Sequence, residues 1–178
     1  MANDCCGRMM VVAKNKETID RLYKILQYED EEYCVSGCRY VEMSLKPRLK
    51  NDLWYAFFEV SGAWDCSRFF DNGDRPTEKL YDREKQDYGT AHYTDLTHLA
   101  EKLNFGCELF ACEPGNAFCE HCAVDHFGCY YTESDDYRLE YPKDENGEEN
   151  FDADPTEIIG LSNYMEFGDC EEIYGKGV

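Results

Sequence analysis

Positive charge is scarce in the second part of this chain. Residues 105–178 hold three Lys/Arg (Arg138, Lys143, Lys176) against nineteen Asp/Glu, whereas residues 1–104 hold fifteen against nineteen. The two parts therefore carry −16 and −4, which together give the whole-chain −20. Surfaces of that sign argue against direct binding to nucleic acid or to an anionic membrane, which carry the same sign. Long apolar runs are also missing. The longest, around residues 53–60, is far short of the ~20 residues a membrane-spanning helix needs. Residues 1–14, MANDCCGRMMVVAK, have no apolar segment of secretory type, so a cytoplasmic protein is expected. There is no Gly-rich phosphate loop, no Gly-x-Ser-x-Gly and no His-Glu-x-x-His, which removes the commonest local signatures of nucleotide, serine-hydrolase and zinc-protease chemistry.

Aromatic residues, by contrast, are plentiful: 14 Tyr, 10 Phe and 2 Trp. A disordered chain lacks that apolar content, so most of this one is expected to fold. The eleven cysteines are odd in number. In a reducing compartment they read mostly as free thiols that pack as small hydrophobes.

Hydrophobic spacing gives the elements. Residues 5–13 read as a strand whose Met9–Val12 run is apolar on both faces, as suits a central, doubly covered strand. Ile19, Leu22, Tyr23 and Leu26 repeat at i, i+3, i+4 and i+7, one apolar face of a helix, with Asn15 or Thr18 as candidate caps. Residues 39–45 alternate and are expected to stop at Pro47. Residues 53–62 form the strongest strand signal, with Trp54, Ala56, Phe58 and Val60 on one face. A long irregular connection is expected over 63–93. A second helix then starts from Thr94 as its N-cap and uses Leu96, Leu99, Ala100 and Leu103, with Asn104 and Gly106 ending it. A strand over 107–112 closes the series. The order β-α-β-β-α-β predicts an α+β, ferredoxin-like fold: an antiparallel sheet with two helices on one face. Beyond Pro114-Gly115, short strands are expected over 118–124, 128–132 and 138–141. The division expected is a domain over 1–132, including a C-terminal hairpin, and an acidic extension over 133–178 that docks on it, its last apolar residues forming a short helix.

Several segments resemble a known family. The opening MANDCC, the KNKETIDRLYKIL segment, FFEVSGAW with Ser61, Gly62 and Trp64, LTHLAEKLNFGCELFACEPGNAF with Glu113 to Phe118, and CEHCAVD are similar to the YubB-like ferredoxin-like proteins of phages, plasmids and integrated elements. The resemblance covers roughly residues 1–132. It implies the fold and a bacterial host cell as habitat, and it brings no catalytic residues. Small acidic proteins of such elements often block host nucleic-acid-binding defence proteins, as anti-CRISPR proteins and DNA mimics do.

Three constellations could carry function. Cys112, Cys119, Cys122 and Cys129, with His121 and His126 among them, offer thiolate and imidazole ligands for zinc, although a strand over 118–124 would point Cys119 and Cys122 to opposite faces. Glu120-His121 and Asp125-His126 offer an acid/base pair for a small hydrolase, and Cys66 or Cys119 with His92 or His98 a thiol nucleophile. The third is the acidic surface itself: Asp135, Asp136, Glu140, Asp144, Glu145, Glu148, Glu149, Asp152 and Asp154, with Tyr137 and Tyr141 interleaved as anchors. Carboxylates at that density can imitate a phosphate ladder. The expectation is a non-enzymatic binder, without a cofactor, for a basic nucleic-acid-binding protein such as a CRISPR effector nuclease. The alternative is a zinc module or metal-dependent hydrolase on the Cys/His cluster.

Overall fold

The computed structural model describes residues 4–35, 37–63, 65–71, 79–82, 87–113, 118–136, 138–140, 142–143, 146–148, 157–159 and 166–175. In chain order these form β1 (Asp4–Ala13), α1 (Lys16–Leu26), β2 (Tyr33–Val35), β3 (Cys38–Lys50), β4 (Leu53–Ala63), a short 3-10 turn (Ser67–Phe69), β5 (Lys79–Asp82), β6 (Asp87–Thr94), α2 (Leu96–Leu103), β7 (Phe105–Glu113), β8 (Phe118–Val124), β9 (Tyr130–Asp136), β10 (Arg138–Glu140), β11 (Glu157–Ile159) and α3 (Cys170–Tyr174).

The main body is a six-stranded sheet in the order β3-β4-β1-β7-β8-β9, antiparallel throughout. β2-β6-β5 form a second sheet and β10-β11 a third. This corrects the ferredoxin-like expectation of one sheet under two helices. The described chain is mostly strand, its helices have only 11, 8 and 5 residues, and the third packs on the opposite face of the sheet. The expectation failed because hydrophobic period identifies strands and helices one at a time. It does not say that residues 118–136 add two more strands to the same sheet, or that a short terminal helix covers its back.

β1 lies in the middle and is sealed on both sides. Met9, Val11 and Ala13 face α1 and α2 in a core with Ile19, Leu22, Ile25, Leu96, Leu99, Phe58, Phe69, Phe70 and Phe105. Met10 and Val12 face the other way, under Cys170, Ile173 and Tyr174 of α3. This is the physical reason for the unbroken apolar run of the strand.

Local chemistry moves several boundaries. β3 continues through Pro47 because it is an edge strand, where a residue without an N–H removes no ladder bond; its register shifts between Met43 and Leu45 and between Leu45 and Arg48. Lys50 pairs with Leu53 across a two-residue turn whose Asn51 and Asp52 have φ of 51° and 62°, the left-handed geometry that Asn and Asp tolerate best after Gly. The cap of α2 is Asp95, not Thr94: its carboxylate accepts from the backbone N–H of His98. Asn15 does take the N-cap position of α1, without a side-chain capping bond. The 63–93 connection holds the 3-10 turn and two strands instead of running irregularly. Asn104 ends α2 in the left-handed conformation, while Gly106 belongs to β7.

Candidate partner-binding face

The register of the main sheet places side chains in rows across its second face, the one that α3 partly covers. One row runs Ser61, Cys6, Cys112, Cys119; the next runs Glu59, Arg8, Phe110, His121, Glu133. A groove of about 490 Å³ opens beside them, lined by Cys6, Arg8, Tyr40, Glu59, Phe110 and Phe167 among others. Its floor is aromatic. Phe110 stacks on the His121 ring at 4.3 Å, and the edge of Phe167 meets Phe110 at 5.0 Å and Phe57 at 5.2 Å. The Arg8 guanidinium lies 4.4 Å over the Phe57 ring and pairs with Glu59 at 3.4 Å.

His121 is held between two carboxylates. Its Nε2 lies 2.7 Å from Glu108 Oε1 and its Nδ1 3.2 Å from Glu133 Oε1. Both nitrogens can donate only in the imidazolium form. Burial opposes that charge, but the hydrogen bonds and fields of Glu108 and then Glu133 prevail and raise the His121 pKa. Glu133, bonded by Tyr131 and by His121, is held below the usual carboxylate range. The other oxygen of Glu108 accepts from the backbone N–H of Gly168 at 2.7 Å. The His121 pair is thereby linked to the segment that leads into α3.

A stability prediction follows. A histidine whose folded pKa lies above its unfolded value of about 6.5 stabilises fully below that value, and the contribution is lost as pH rises through the folded value. Urea midpoints are expected to fall as pH is raised from about 6 through the raised His121 value. His121→Gln is expected to remove that slope. An unchanged slope in the variant would mean that another group sets it.

The acidic residues expected to bind a partner are only partly visible. Asp135 and Asp136 end β9, the edge strand of the main sheet, Glu140 ends β10, and Glu148 is exposed. Tyr137, Tyr141, Asp144, Glu145, Glu149, Asp152 and Asp154 lie outside the described residues. The cations are more informative. Among the described residues, Arg8 pairs with Glu59, Lys16 with Asp20, Arg21 with Asp30 and Glu32, Arg39 with Asp4, Arg68 with Asp65 and Lys102 with Glu32. All of these join partners within residues 4–102. Lys50 with Asp169 is the described Lys/Arg pair that reaches into the acidic part.

The expected metal and catalytic sets do not converge. Cys112 and Cys119, directly opposed on β7 and β8, are joined as a disulfide. Cys122 is fully buried in the core on the helix side, and Cys129 is exposed in the loop before β9. The strand objection thus holds: Cys119 and Cys122 face opposite sides. His121 is engaged by Glu108 and Glu133. His126 stacks flat on Tyr174, at 4.2 Å and 3° between planes. The Asp125 carboxylate is used by the backbone N–H groups of Phe127 and Cys129, at 2.9 Å each. Cys66 donates its thiol proton to the Cys5 carbonyl at 3.3 Å. His98 Nδ1 lies 2.8 Å from Asp95, and His92, in β6, buries an Nδ1 without a hydrogen-bond partner.

One cluster had no signal in the sequence. Cys5 of β1, Cys66 after β4 and Glu120 of β8 meet on the helix side, with all their ligand atoms within 4.8 Å of one another. Glu120, though polar, is only 5 % exposed. Its Oε2 accepts from Cys66 N at 2.7 Å and Ser67 N at 3.3 Å, and the Cys5 thiol lies 3.6 Å away.

No family model matches the chain, and neither a curated protein nor a solved structure does. The family resemblance therefore rests on its motifs alone. Among the described residues, no helix is long and apolar enough to cross a membrane.

Proposed function

We propose that this is a non-enzymatic binding protein whose acidic C-terminal third engages the nucleic-acid-binding cleft of a basic partner, such as a CRISPR effector or similar nuclease. The observation that carries this reading is the division of charge. Residues 105–178 carry a net −16, while among the described residues Arg8, Lys16, Arg21, Arg39, Arg68 and Lys102 pair with acids of residues 4–65 and Lys50 pairs with Asp169. A negative field of this size speeds encounter with a positive groove and selects against anionic partners. Tyr131, 49 % exposed on the edge strand β9, supplies an aromatic contact of the kind that anchors interfaces. The catalytic alternatives are the weaker reading, because, His92 apart, their side chains are engaged elsewhere: Cys119 in a disulfide, Cys66, Glu120, Asp125 and His126 with backbone groups, His98 with Asp95 and His121 with Glu108 and Glu133.

The test is inhibition of DNA binding by a panel of CRISPR effector and other basic nucleases, measured across a salt series. Inhibition of at least one is expected, and it should weaken steeply as salt rises. A variant carrying Asp144→Asn, Glu145→Gln, Glu148→Gln, Glu149→Gln, Asp152→Asn and Asp154→Asn together is expected to bind about 100-fold more weakly, on the order of 3 kcal/mol. Binding that survives this neutralisation would remove the 144–154 carboxylates from the interface. Binding that does not depend on salt would remove the electrostatic reading altogether.

A further inference from the structure

We infer that Cys5, Cys66 and Glu120, with Cys122 as the fourth ligand, form a buried structural zinc site that ties three separate parts of the chain together. The inference is independent of partner binding and shares only Cys122 with the set that sequence spacing suggests.

The geometry is the starting point. Zinc bonds thiolate sulfur at about 2.3 Å and carboxylate oxygen at about 2.0 Å, so in a tetrahedron a sulfur and an oxygen ligand sit about 3.5 Å apart. The Cys5 Sγ and Glu120 Oε2 are 3.6 Å apart. The Cys66 sulfur lies within 4.8 Å of both, so a small contraction brings the three ligands to bonding distance. Cys122 follows Glu120 by two residues on β8, which puts it on the same face of the strand. Its side chain is fully buried in the core on the same side of the sheet, with the sulfur 3.4 Å from Thr132 Oγ1.

The chemistry of the donors points the same way. Thiolates select soft or borderline metals, and a closed four-ligand set with no open position is the structural kind of zinc site. Three thiolates and one carboxylate around Zn²⁺ leave the same net charge as a four-cysteine site. The N–H groups of Cys66 and Ser67 already point at Glu120 Oε2, at 2.7 and 3.3 Å, so they fix its orientation in the manner of an outer shell. Zinc takes thiolates as ligands, so binding would release the thiol protons. A buried carboxylate among thiols is costly to keep for packing alone.

The consequence is mechanical. The ligands come from β1, from the segment following β4 and from β8, separated by 61 residues between Cys5 and Cys66 and by 54 between Cys66 and Glu120. A metal there would link the middle of the main sheet to the 3-10 turn at Ser67–Phe69.

The full-length protein, expressed with zinc and purified without chelator, is expected to carry one zinc per chain by native mass spectrometry. Refolded with Co²⁺ in place of zinc, it should show a thiolate-to-cobalt charge-transfer band. Replacing Cys112, Cys119 and Cys129 with Ser together should leave both signals intact. Cys5→Ser with Cys66→Ser should abolish them. Because that pair alters two fully buried core side chains, Glu120→Gln is the second variant. It keeps an oxygen for the two N–H groups and is expected to weaken zinc binding at least 10-fold with unchanged circular dichroism. Wild-type protein that neither retains zinc nor gives the cobalt band overturns the proposal. So does zinc that is lost with Cys112, Cys119 and Cys129 but kept in Glu120→Gln at full affinity.

Discussion

Phe58→Ala is expected to destabilise the protein by about 3–5 kcal/mol, the usual cost of truncating a large buried aromatic side chain. Phe58 sits on β4 opposite Met9 of β1 and Met43 of β3, is fully buried, and meets the Tyr23 ring of α1 at 5.4 Å. The space it fills is bounded by a sheet on one side and a helix on the other. Neither layer can close over the void without losing its own contacts. Domains of this size are stable by only about 5–15 kcal/mol, so the variant loses a large share of its stability. Urea denaturation measures the loss. Leu49→Ala, at a side chain 57 % exposed on the edge strand β3, is the control and should stay within about 0.5 kcal/mol of wild type. A loss below about 1 kcal/mol for Phe58→Ala would mean that α1 does not seal this face.

Gly106→Ala is expected to unseat α3. A Cβ at residue 106 would lie 2.0 Å from the Ile173 carbonyl oxygen, 2.8 Å from its carbon and 2.9 Å from Tyr174 Cα. These are backbone atoms, so no rotamer change relieves the clash; either β7 or the terminal helix has to move. α3 is only five residues long, so it yields first. Its departure would uncover Met10, Val12 and Leu53, which it now buries with Cys170, Ile173 and Tyr174. The expected cost is about 1–3 kcal/mol, with faster amide exchange confined to residues 166–175 and the facing strands. Unchanged exchange there would show that α3 does not cross over Gly106. The same displacement should loosen the Glu108–Gly168 bond and with it one side of the His121 pair, so the pH dependence of stability is expected to shrink in this variant too.

Gly106 also shows where sequence reading stopped. Placed just after Leu103 and Asn104, it read as part of the helix ending, because glycine is common there. In the structure Asn104 alone ends the helix in the left-handed conformation, and Gly106 is a strand residue kept small by a helix 67 residues further on. Pro47 is a similar case. Proline stops a central strand but is tolerated on an edge strand, and which kind β3 would be was not written locally. The alternative four-cysteine set shows a related limit. Cys112, Cys119, Cys122 and Cys129 are close along the chain, but alternation along β8 sends Cys119 and Cys122 to opposite faces. Cys5, Cys66 and Glu120, far apart in sequence, come together.

The sequence by itself determined the charge division, the helix faces of residues 16–26 and 96–103, and the doubly covered character of the first strand. Each depends on composition or on a period of two or 3.6 residues, which a short window of chain contains. Tertiary structure alone decided the six-stranded order, the helix on the back of the sheet, the Glu108–His121–Glu133 array and the Cys5–Cys66–Glu120 cluster. Those depend on which strands pair and in what register, and a shift of one residue would have sent every one of these side chains to the opposite face.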